Sequence, residues 1–267
     1  MIEQKIIIGD FLDGGGIIKD NSVDLILTDP PYNISTEITI FRGSNPMKFK
    51  GTDIKGDFGE WDHFESEEKY IEFTEAWLDL CHKKLRPGGM FISYFDRERI
   101  NSLSNYLKKK YKYKFKDYFA HLKNNPVPQA RMVKWMSAWE MVCMLQKPEG
   151  KLTYNYKLGQ QKNYAIVSIT SQGERIVSAK GKTHPTQKPE SIIELFIKYW
   201  SNEGDLILDP FCGTGTTLAM AKRLRRNAIG FEIDEDWKYP VEKRIQDTHE
   251  SAEVYLQNDT LDEGELF

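Results

Sequence analysis

Short, continuous runs of apolar residues recur along the chain and are separated by longer segments of helical spacing. We predict strands from these runs, which cover residues 5–9, 23–27, 90–95, 206–208 and 228–231, with two more near 115–122 and 138–146. A run that is continuous rather than alternating favours a strand buried on both faces, as in a parallel sheet. The pattern therefore predicts a sheet that lies inside the molecule.

Helical spacing of apolar residues is clearest in the segment 66–85. Tyr70, Trp77 and Cys81 fall on one face of a helix that Pro87-Gly88-Gly89 ends. Further helices are predicted at about 98–110, from residue 189, up to about residue 226, and from about residue 235. Because strands and helices alternate at both ends of the chain, we predict an α/β fold, a mostly parallel sheet with helices on both faces.

Three segments lack this periodicity. Residues 34–64 are polar and contain several glycines, so we predict a long surface loop, which in a compact domain usually serves a function. Residues 150–183 contain few long apolar runs and are predicted to be a small insertion. Residues 250–267 are rich in acidic side chains, which is typical of a flexible tail.

Composition narrows the class of protein. The length of 267 residues suits one large domain, and 40% apolar with 29% charged residues is typical of a soluble globular protein. No apolar run approaches the length of a membrane span, and the N-terminus lacks a signal-peptide pattern. Three scattered cysteines predict neither a disulfide framework nor a metal site, so we expect a cytoplasmic protein without a membrane partner.

The formal net charge of −3, taken alone, argues against a nucleic-acid binder, which is usually basic. The charges are strongly segregated, however. Residues 104–162 carry 13 basic and three acidic side chains, whereas residues 231–267 carry 12 acidic and three basic ones. Because the local potential governs encounter with DNA more than the total charge does, a DNA partner stays compatible with the sequence.

A glycine-containing segment, Asp209-Pro-Phe-Cys-Gly-Thr-Gly-Thr-Thr217, follows one predicted strand and precedes a predicted helix. Glycines there let the backbone approach a ligand, and a helix N-terminus presents free N–H groups. Glu232 follows Gly213 by nineteen residues, at the end of the next strand, where a carboxylate accepts hydrogen bonds from ribose hydroxyls. The set predicts a cofactor that contains a nucleoside, although a tight strand–helix turn without a ligand is the alternative. NAD and ATP are disfavoured because the third glycine and a Gly-Lys-Ser/Thr ending are missing.

A second motif, Asp29-Pro30-Pro31-Tyr32, ends another predicted strand. A carboxylate and a backbone carbonyl can each accept one N–H of an amino group on a planar ring, and a tyrosine ring can stack on that ring. The motif therefore indicates recognition of an amine on a base. The alternative is a proline turn with Tyr32 packed on the surface.

Together with His184-Pro-Thr-Gln-Lys-Pro189, the two motifs resemble those of the amino-directed DNA methyltransferases that use S-adenosylmethionine. The order, with the catalytic motif first and the cofactor motif last, resembles the beta group, and the resemblance extends from about residue 5 to 245. It implies a Rossmann-like methyltransferase sheet with circularly reordered motifs. Residues 1–149 would form the catalytic half, 150–183 the target-recognition insertion and 184–249 the cofactor half of the same domain, before the tail 250–267.

The resemblance also implies roles for single residues. Asp29 and the carbonyl of Pro30, next to Pro31, would hold the target amino group, and Tyr32 would stack on the extruded base. Among the implied cofactor-binding residues, Asp10 would lie near the adenine, Glu232 on the ribose and Asp209 near the methionine amine. His184, Thr186 and Lys188 would lie near the methionine carboxylate. The other implied cofactor-binding residues are Asp29, Phe211, Cys212, Gly213, Thr214, Gly215 and Thr216. Cys212 is expected to be a small loop residue and not a nucleophile.

A candidate DNA contact follows from the segment 121–128, which resembles a family element that usually begins with Trp but begins here with His121. Lys123, Asn124, Asn125 and Arg131 are the implied DNA-binding residues. A polar turn held by two prolines is the alternative for this segment.

The expected function is site-specific methylation of adenine N6 in double-stranded DNA, by base flipping and direct displacement. Adenine is favoured because an Asp-Pro-Pro-Tyr motif is commoner among adenine enzymes of the family. Cytosine-N4 methylation is the alternative, followed by an RNA or protein methyltransferase and by a non-catalytic nucleic-acid-binding module. The resemblance leaves open a homodimer and a cognate restriction endonuclease as partners.

Overall fold

An eight-stranded sheet forms the centre of the structure, a computed structural model that describes residues 2–33, 39–40, 54–55, 62–126, 135–170, 173–184 and 186–251. In chain order the strands are β1 (Gln4–Ile8), β2 (Val23–Thr28), β3 (Thr39–Ile40), β4 (Ile54–Lys55), β5 (Leu85–Phe95), β6 (Lys114–Lys123), β7 (Trp139–Gln146), β8 (Tyr164–Val167), β9 (Leu206–Asp209) and β10 (Asn227–Glu232). Strands β3 and β4 pair with each other, and the remaining strands lie in the order β1-β10-β9-β2-β5-β7-β6-β8.

The sheet is mostly parallel, as predicted. Strands β1, β10, β9, β2 and β5 run parallel to one another, β7 is antiparallel to both β5 and β6, and β8 is parallel to β6. The last two strands of the chain are inserted between its first two, so β9 lies beside β2 with Leu25 opposite Ile207. Asp29 and Asp209 therefore lie at the carboxyl ends of adjacent parallel strands, where open α/β sheets bind ligands.

Helices cover both faces of the sheet. They are α1 (Phe11–Gly14), α2 (Glu67–Lys84), α3 (Ile100–Tyr111), α4 (Glu190–Trp200), α5 (Thr216–Arg223) and α6 (Lys238–Asp247). Leu25 and Leu27 of β2 belong to the core shared with α4, α5 and α6, whereas Ile26 belongs to the core shared with α1, α2 and α3. Because successive side chains of a strand point to opposite faces, two apolar layers require the continuous apolar runs seen in the sequence.

Strand β5 differs from the expectation, because it begins at Leu85 directly after α2 and includes the Pro87-Gly88-Gly89 segment that was predicted only to end the helix. The pairing of β5 with β2 shifts register between Val23 and Leu25, so the extra residues are accommodated as a bulge. Register with β2 is regular from Met90 onward, the residue at which the strand was predicted to start.

The structure describes the three segments without periodicity to different extents. Residues 150–183 contribute β8 to the edge of the sheet, so this segment extends the main domain. Most of the predicted loop 34–64 lies outside the described residues, but it contains the antiparallel pair β3–β4. The predicted tail lies outside them from residue 252. Within the described part of the chain, no helix is both long and apolar enough to cross a membrane.

Gly215 offers a test of the turn that begins α5. Its φ is +71°, and a Cβ added there would lie 2.5 Å from Cγ1 of Val241. We expect Gly215→Ala to reduce the free energy of unfolding by about 2–4 kcal/mol, since left-handed strain and overpacking add. Gly204→Ala is the control, because its φ is also positive, at +86°, but the space around it is open, so it should cost only about 1–2 kcal/mol. Equal losses in urea unfolding would contradict the packing account.

Candidate active site

A cavity of about 310 Å³ lies at the carboxyl ends of β1, β2, β9 and β10, a volume within the usual range of small-molecule sites. It brings together most of the residues that the sequence singled out. Those that line it are Asp10, Asp29, Pro31, His184, Thr186, Lys188, Asp209, Phe211, Cys212, Gly213, Thr214, Thr216 and Glu232. Pro30, Tyr32 and Gly215 are not among its lining residues, and Gly215 packs against Val241 instead.

Two carboxyl groups, the buried Asp209 and the partly buried Glu232, mark the cofactor side of the cavity. Burial raises the pKa of Glu232 to about 7, and its Oε1 accepts a hydrogen bond from the backbone N–H of Asp234 at 2.9 Å. Burial likewise raises the pKa of Asp209 to about 6, while its Oδ1 accepts hydrogen bonds from Thr28 at 2.8 Å and from the N–H of Phe211 at 3.2 Å. Asp209 thus ties the turn to β2. Glu232 is placed to accept hydrogen bonds from ligand hydroxyls.

The glycine turn forms a cradle between these groups. Gly213 has a φ of +50°, and a Cβ there would approach Nε2 of His184 to 3.2 Å. The N–H of Thr186 donates to Nδ1 of His184 at 3.3 Å, and burial lowers the pKa of His184 to about 4, so the neutral ring carries its proton on Nε2. A narrow turn, a ring N–H and the N-terminus of α5 fit a cofactor with a nucleoside and an anionic group.

Arg244 supports the cradle from behind, which the sequence did not reveal. Its Nη1 donates to the carbonyl of Thr214 at 3.0 Å and to Oγ1 of Thr216 at 2.9 Å. Its Nη2 donates to Oε1 of Glu190 at 2.8 Å, at the start of α4. The turn is therefore fixed to the helix that follows the His184–Pro189 motif. These partners lie at least 28 residues from Arg244 along the chain, so no local pattern marks it.

The catalytic candidate, Asp29, is engaged by two side chains. Its Oδ1 accepts a hydrogen bond from the hydroxyl of Tyr32 at 2.5 Å, and its Oδ2 accepts one from the ammonium of Lys188. Burial raises the pKa of Asp29, and the positive charge of Lys188 opposes that rise. The Tyr32 ring, predicted to stack on a base, meets Phe95 edge-on with centroids 6.0 Å apart.

Three further residues hold the loop after Asp29. Oδ1 of Asp62, which is almost fully buried, accepts hydrogen bonds from the backbone N–H groups of Tyr32 and Asn33, both at 2.7 Å. The Tyr70 hydroxyl donates to the carbonyl of Pro31 at 3.0 Å, and Arg99 donates to the carbonyl of Tyr32 at 3.0 Å. The sequence did not reveal these supports, because Asp62 lies in a polar segment, and Tyr70 in α2 and Arg99 just before α3 belong to no motif.

Lys188, predicted to lie near the methionine carboxylate, lines the cavity and connects Asp29 to Glu140 of β7. Its Nζ lies 3.2 Å from Oε2 of Glu140 and 4.7 Å from the centre of the Tyr94 ring. Burial alone would raise the pKa of Glu140, but Lys188 and Lys123 together lower it to about 2. Burial would lower the pKa of Lys188, but Asp29 and Glu140 raise it. The attraction between these charges therefore favours the ionised form of Glu140 and the protonated form of Lys188.

The predicted DNA-binding residues differ in their partners and exposure. The ammonium of Lys123 is paired with Glu140, and Oδ1 of Asn125 accepts a hydrogen bond from the N–H of Ile169 at 2.8 Å, so both have structural partners. Asn124 is exposed, and Arg131 lies outside the described residues. His121 is buried opposite Glu140, and neither ring nitrogen has a hydrogen-bond partner among the described residues.

Comparisons with known proteins identify the family of this chain. Residues 23–243 match the family model for N6/N4 DNA methylases, so the chain belongs to that DNA methylase family. It is 35% identical over 253 residues to the type II methyltransferase M.HinfI of Haemophilus influenzae, covering 91% of this chain and 68% of that protein. It is also 31% identical to the type II methyltransferase M2.DpnII of Streptococcus pneumoniae, covering 88% of this chain and 86% of that protein. The predicted resemblance is confirmed.

Solved structures share the fold. A structure of M1.HpyAVI in complex with SAM has a TM-score of 0.64 at 22% identity and covers 91% of this chain and 99% of its own. The cytosine-N4-specific PvuII DNA methyltransferase has a TM-score of 0.72 at 20% identity and covers 93% of this chain and 88% of its own. The predicted Rossmann-like methyltransferase sheet is thereby confirmed.

The raised pKa of Glu232 predicts a pH-dependent stability difference. The folded protein binds the Glu232 proton more tightly than the unfolded chain does, so stability from this group is present at low pH and is lost as the pH rises from about 4.5 to about 7. The free energy of unfolding of Glu232→Gln, relative to that of the wild type, should therefore rise by about 2–3 kcal/mol between pH 5 and pH 8. Urea unfolding of both proteins without cofactor measures this difference. A difference that does not vary with pH would contradict the assignment.

The contacts of Asp62 predict that its substitution lowers the rate of methyl transfer without weakening cofactor binding. Asp62→Ala removes the acceptor that orients the loop after Asp29, so we expect methyl transfer to slow by about 10–100-fold, because misplacement of a reacting group has costs of that order. Affinity for the cofactor, measured by calorimetry, should change little. Asp62→Asn keeps one acceptor oxygen and should recover much of the rate. An equal loss in both variants would show that the two hydrogen bonds are not the reason.

Proposed function

We propose that this DNA methylase transfers a methyl group from S-adenosylmethionine to the exocyclic N6 amino group of adenine in DNA. The observation that carries the proposal is that Asp29 borders the same cavity as the glycine turn and Glu232. Family membership supports S-adenosylmethionine as the methyl donor, and M1.HpyAVI, which shares the fold, has been solved with SAM. Asp10, Glu232, His184 and Thr186 are the residues proposed to hold it.

The bound donor supplies a methyl group that is attached to a sulfonium sulfur. When the carbon–sulfur bond breaks, the sulfur group leaves as a neutral thioether. The protein has to prepare the amine, whose lone pair is delocalised into the ring. When Asp29 and the Pro30 carbonyl each accept one N–H, the nitrogen becomes more tetrahedral and its lone pair more localised. That lone pair then forms the new nitrogen–carbon bond by direct displacement, without a covalent enzyme intermediate.

Positive charge appears on nitrogen as the methyl group arrives. A carboxylate held in a water-poor site stabilises such charge strongly because it is already oriented. The Asp29 side chain is mostly buried, with 19% exposed, and hydrogen bonds fix the loop that follows it, so it meets both conditions. One N–H proton then leaves the nitrogen, to Asp29 or to water, and yields the neutral methylamine.

The target base has to leave the duplex to reach this cavity. Asp29 lies at the end of a central strand and is mostly buried, whereas an amino group inside a base-paired stack is shielded by its neighbours. Base flipping, at a cost of a few kcal/mol, is therefore part of the proposal. Pairing with a restriction endonuclease and dimerisation stay predictions from the sequence.

Adenine is preferred over cytosine because the motif is Asp-Pro-Pro-Tyr. Cytosine-N4 methylation is the second candidate, since PvuII methyltransferase, named as cytosine-N4-specific, shares the fold. Both amines sit on planar rings next to a ring nitrogen, so the Asp29 chemistry suits either. The base is decided by digesting the methylated DNA and separating the nucleosides.

A substitution series tests the role of Asp29. We expect the wild type to transfer tritiated methyl groups to DNA and the product to be N6-methyladenine. Asp29→Asn replaces one acceptor oxygen with a donor and should slow transfer by at least about 100-fold while cofactor binding persists, since removing one stabilising group from an active site costs about that much. Asp13→Asn, an exposed site on α1, should behave as wild type. Normal turnover of Asp29→Asn would refute the mechanism, and N4-methylcytosine would select the second candidate.

A further inference from the structure

A group of two ammonium and two carboxylate side chains lies beside the proposed target site. We call it the Lys188 cluster, and it consists of Lys188, Asp29, Glu140 and Lys123. Its charges balance as two positive and two negative. The side chains are mostly buried, with 10% of Lys188 and 24% of Glu140 exposed. No member of the cluster except Asp29 has a task in the chemistry described above.

The cluster conflicts with the proposed chemistry as long as Lys188 stays on Asp29. Tyr32 and Lys188 donate to the two oxygens of Asp29, and the ammonium neutralises its charge. An amino group that develops positive charge would then face a second cation at hydrogen-bond distance from the same carboxylate. Like charges so close in a buried site repel strongly. The ammonium therefore has to move when the amine binds.

Glu140 offers Lys188 a place to move to. Its Oε2 is 3.2 Å from Nζ of Lys188, yet it accepts no hydrogen bond among the described residues, because the geometry of that contact is unfavourable. Its Oε1 is held by Lys123, which keeps the carboxylate in place. The flexible stem of Lys188 lets the ammonium turn from one carboxylate to the other while it remains paired and above the Tyr94 ring.

We propose that Lys188 is a displaceable counter-ion of Asp29, and that Glu140 is the positioning residue that receives its ammonium when the target amino group binds. The inference rests on the proposed function, since it needs an amine at Asp29. Before DNA binds, Lys188 compensates the buried charge of Asp29. Once Lys188 has turned to Glu140, Asp29 is free to stabilise the cationic nitrogen, and no member of the cluster becomes unpaired.

The test measures single-turnover methyl transfer at saturating DNA and S-adenosylmethionine, counting methyl groups on either base. Glu140→Gln removes the charge that attracts Lys188, so the rate should fall at least about tenfold, while the cofactor Kd, from calorimetry, changes less than about threefold. Glu140→Asp keeps the negative charge but places it slightly farther from Lys188, so it should slow transfer only about threefold. Glu203→Gln is the matched control and should keep the wild-type rate, because Glu203 is a similarly buried carboxylate that is paired with Arg225 at 3.1 Å and does not line the cavity.

A double-mutant cycle separates positioning from a general structural effect. In a Lys188→Met background there is no ammonium to receive, so Glu140→Gln and Glu140→Asp should cause no further slowing. If Glu140→Gln does not fold, as judged by thermal unfolding, Glu140→Asp in the two backgrounds makes the same comparison.

Three results would overturn the inference. They are a wild-type rate for Glu140→Gln, equal slowing by Glu140→Gln and Glu140→Asp, and the same slowing factor with and without Lys188. Failure of the proposed function is distinct from these, because the wild type would then transfer no methyl group to DNA or Asp29→Asn would remain active.

Discussion

The contact between Lys188 and Asp29 is the interaction on which the site depends. A buried carboxylate stays charged only if a positive charge or several hydrogen bonds compensate its lost hydration. Lys188 supplies that compensation from a segment 159 residues further along the chain. The contact therefore joins the loop after β2 to the segment before α4, and the charge of Lys188 opposes the rise in the pKa of Asp29 that burial causes.

The strand order makes this contact possible. Because β9 and β10 are inserted between β1 and β2, the turn after β9 lies next to the loop after β2 although the two are far apart in the chain. Arg244 fixes the turn to α4, and the segment preceding α4 carries His184 and Lys188. The cofactor cradle and the catalytic loop are thus positioned by the same packed elements. A circularly reordered chain reaches the geometry of a methyltransferase sheet in this way.

Much of the fold and part of the site followed from the sequence. Continuous apolar runs predicted the parallel strands correctly because each strand is buried on two faces, and the motifs located the cavity because strand ends collect there. The contact partners of individual side chains were harder to predict. A motif places Lys188 near the cavity, but only the packing of β7 shows that its ammonium meets Asp29 and Glu140. Asp62, Glu140 and Arg244 act through distant partners, so nothing in their own neighbourhood of the sequence marks them.

The central claim is that Lys188 keeps Asp29 ionised until the target amine replaces it. Carboxyl carbon NMR of protein labelled at aspartate, with the Asp29 signal assigned from Asp29→Asn, measures this directly. The account predicts an ionised Asp29 at neutral pH in the wild type and a titration midpoint at least about one unit higher in Lys188→Met, since an opposite charge at this distance typically shifts a carboxyl by that much or more. The same midpoint in both proteins would contradict it.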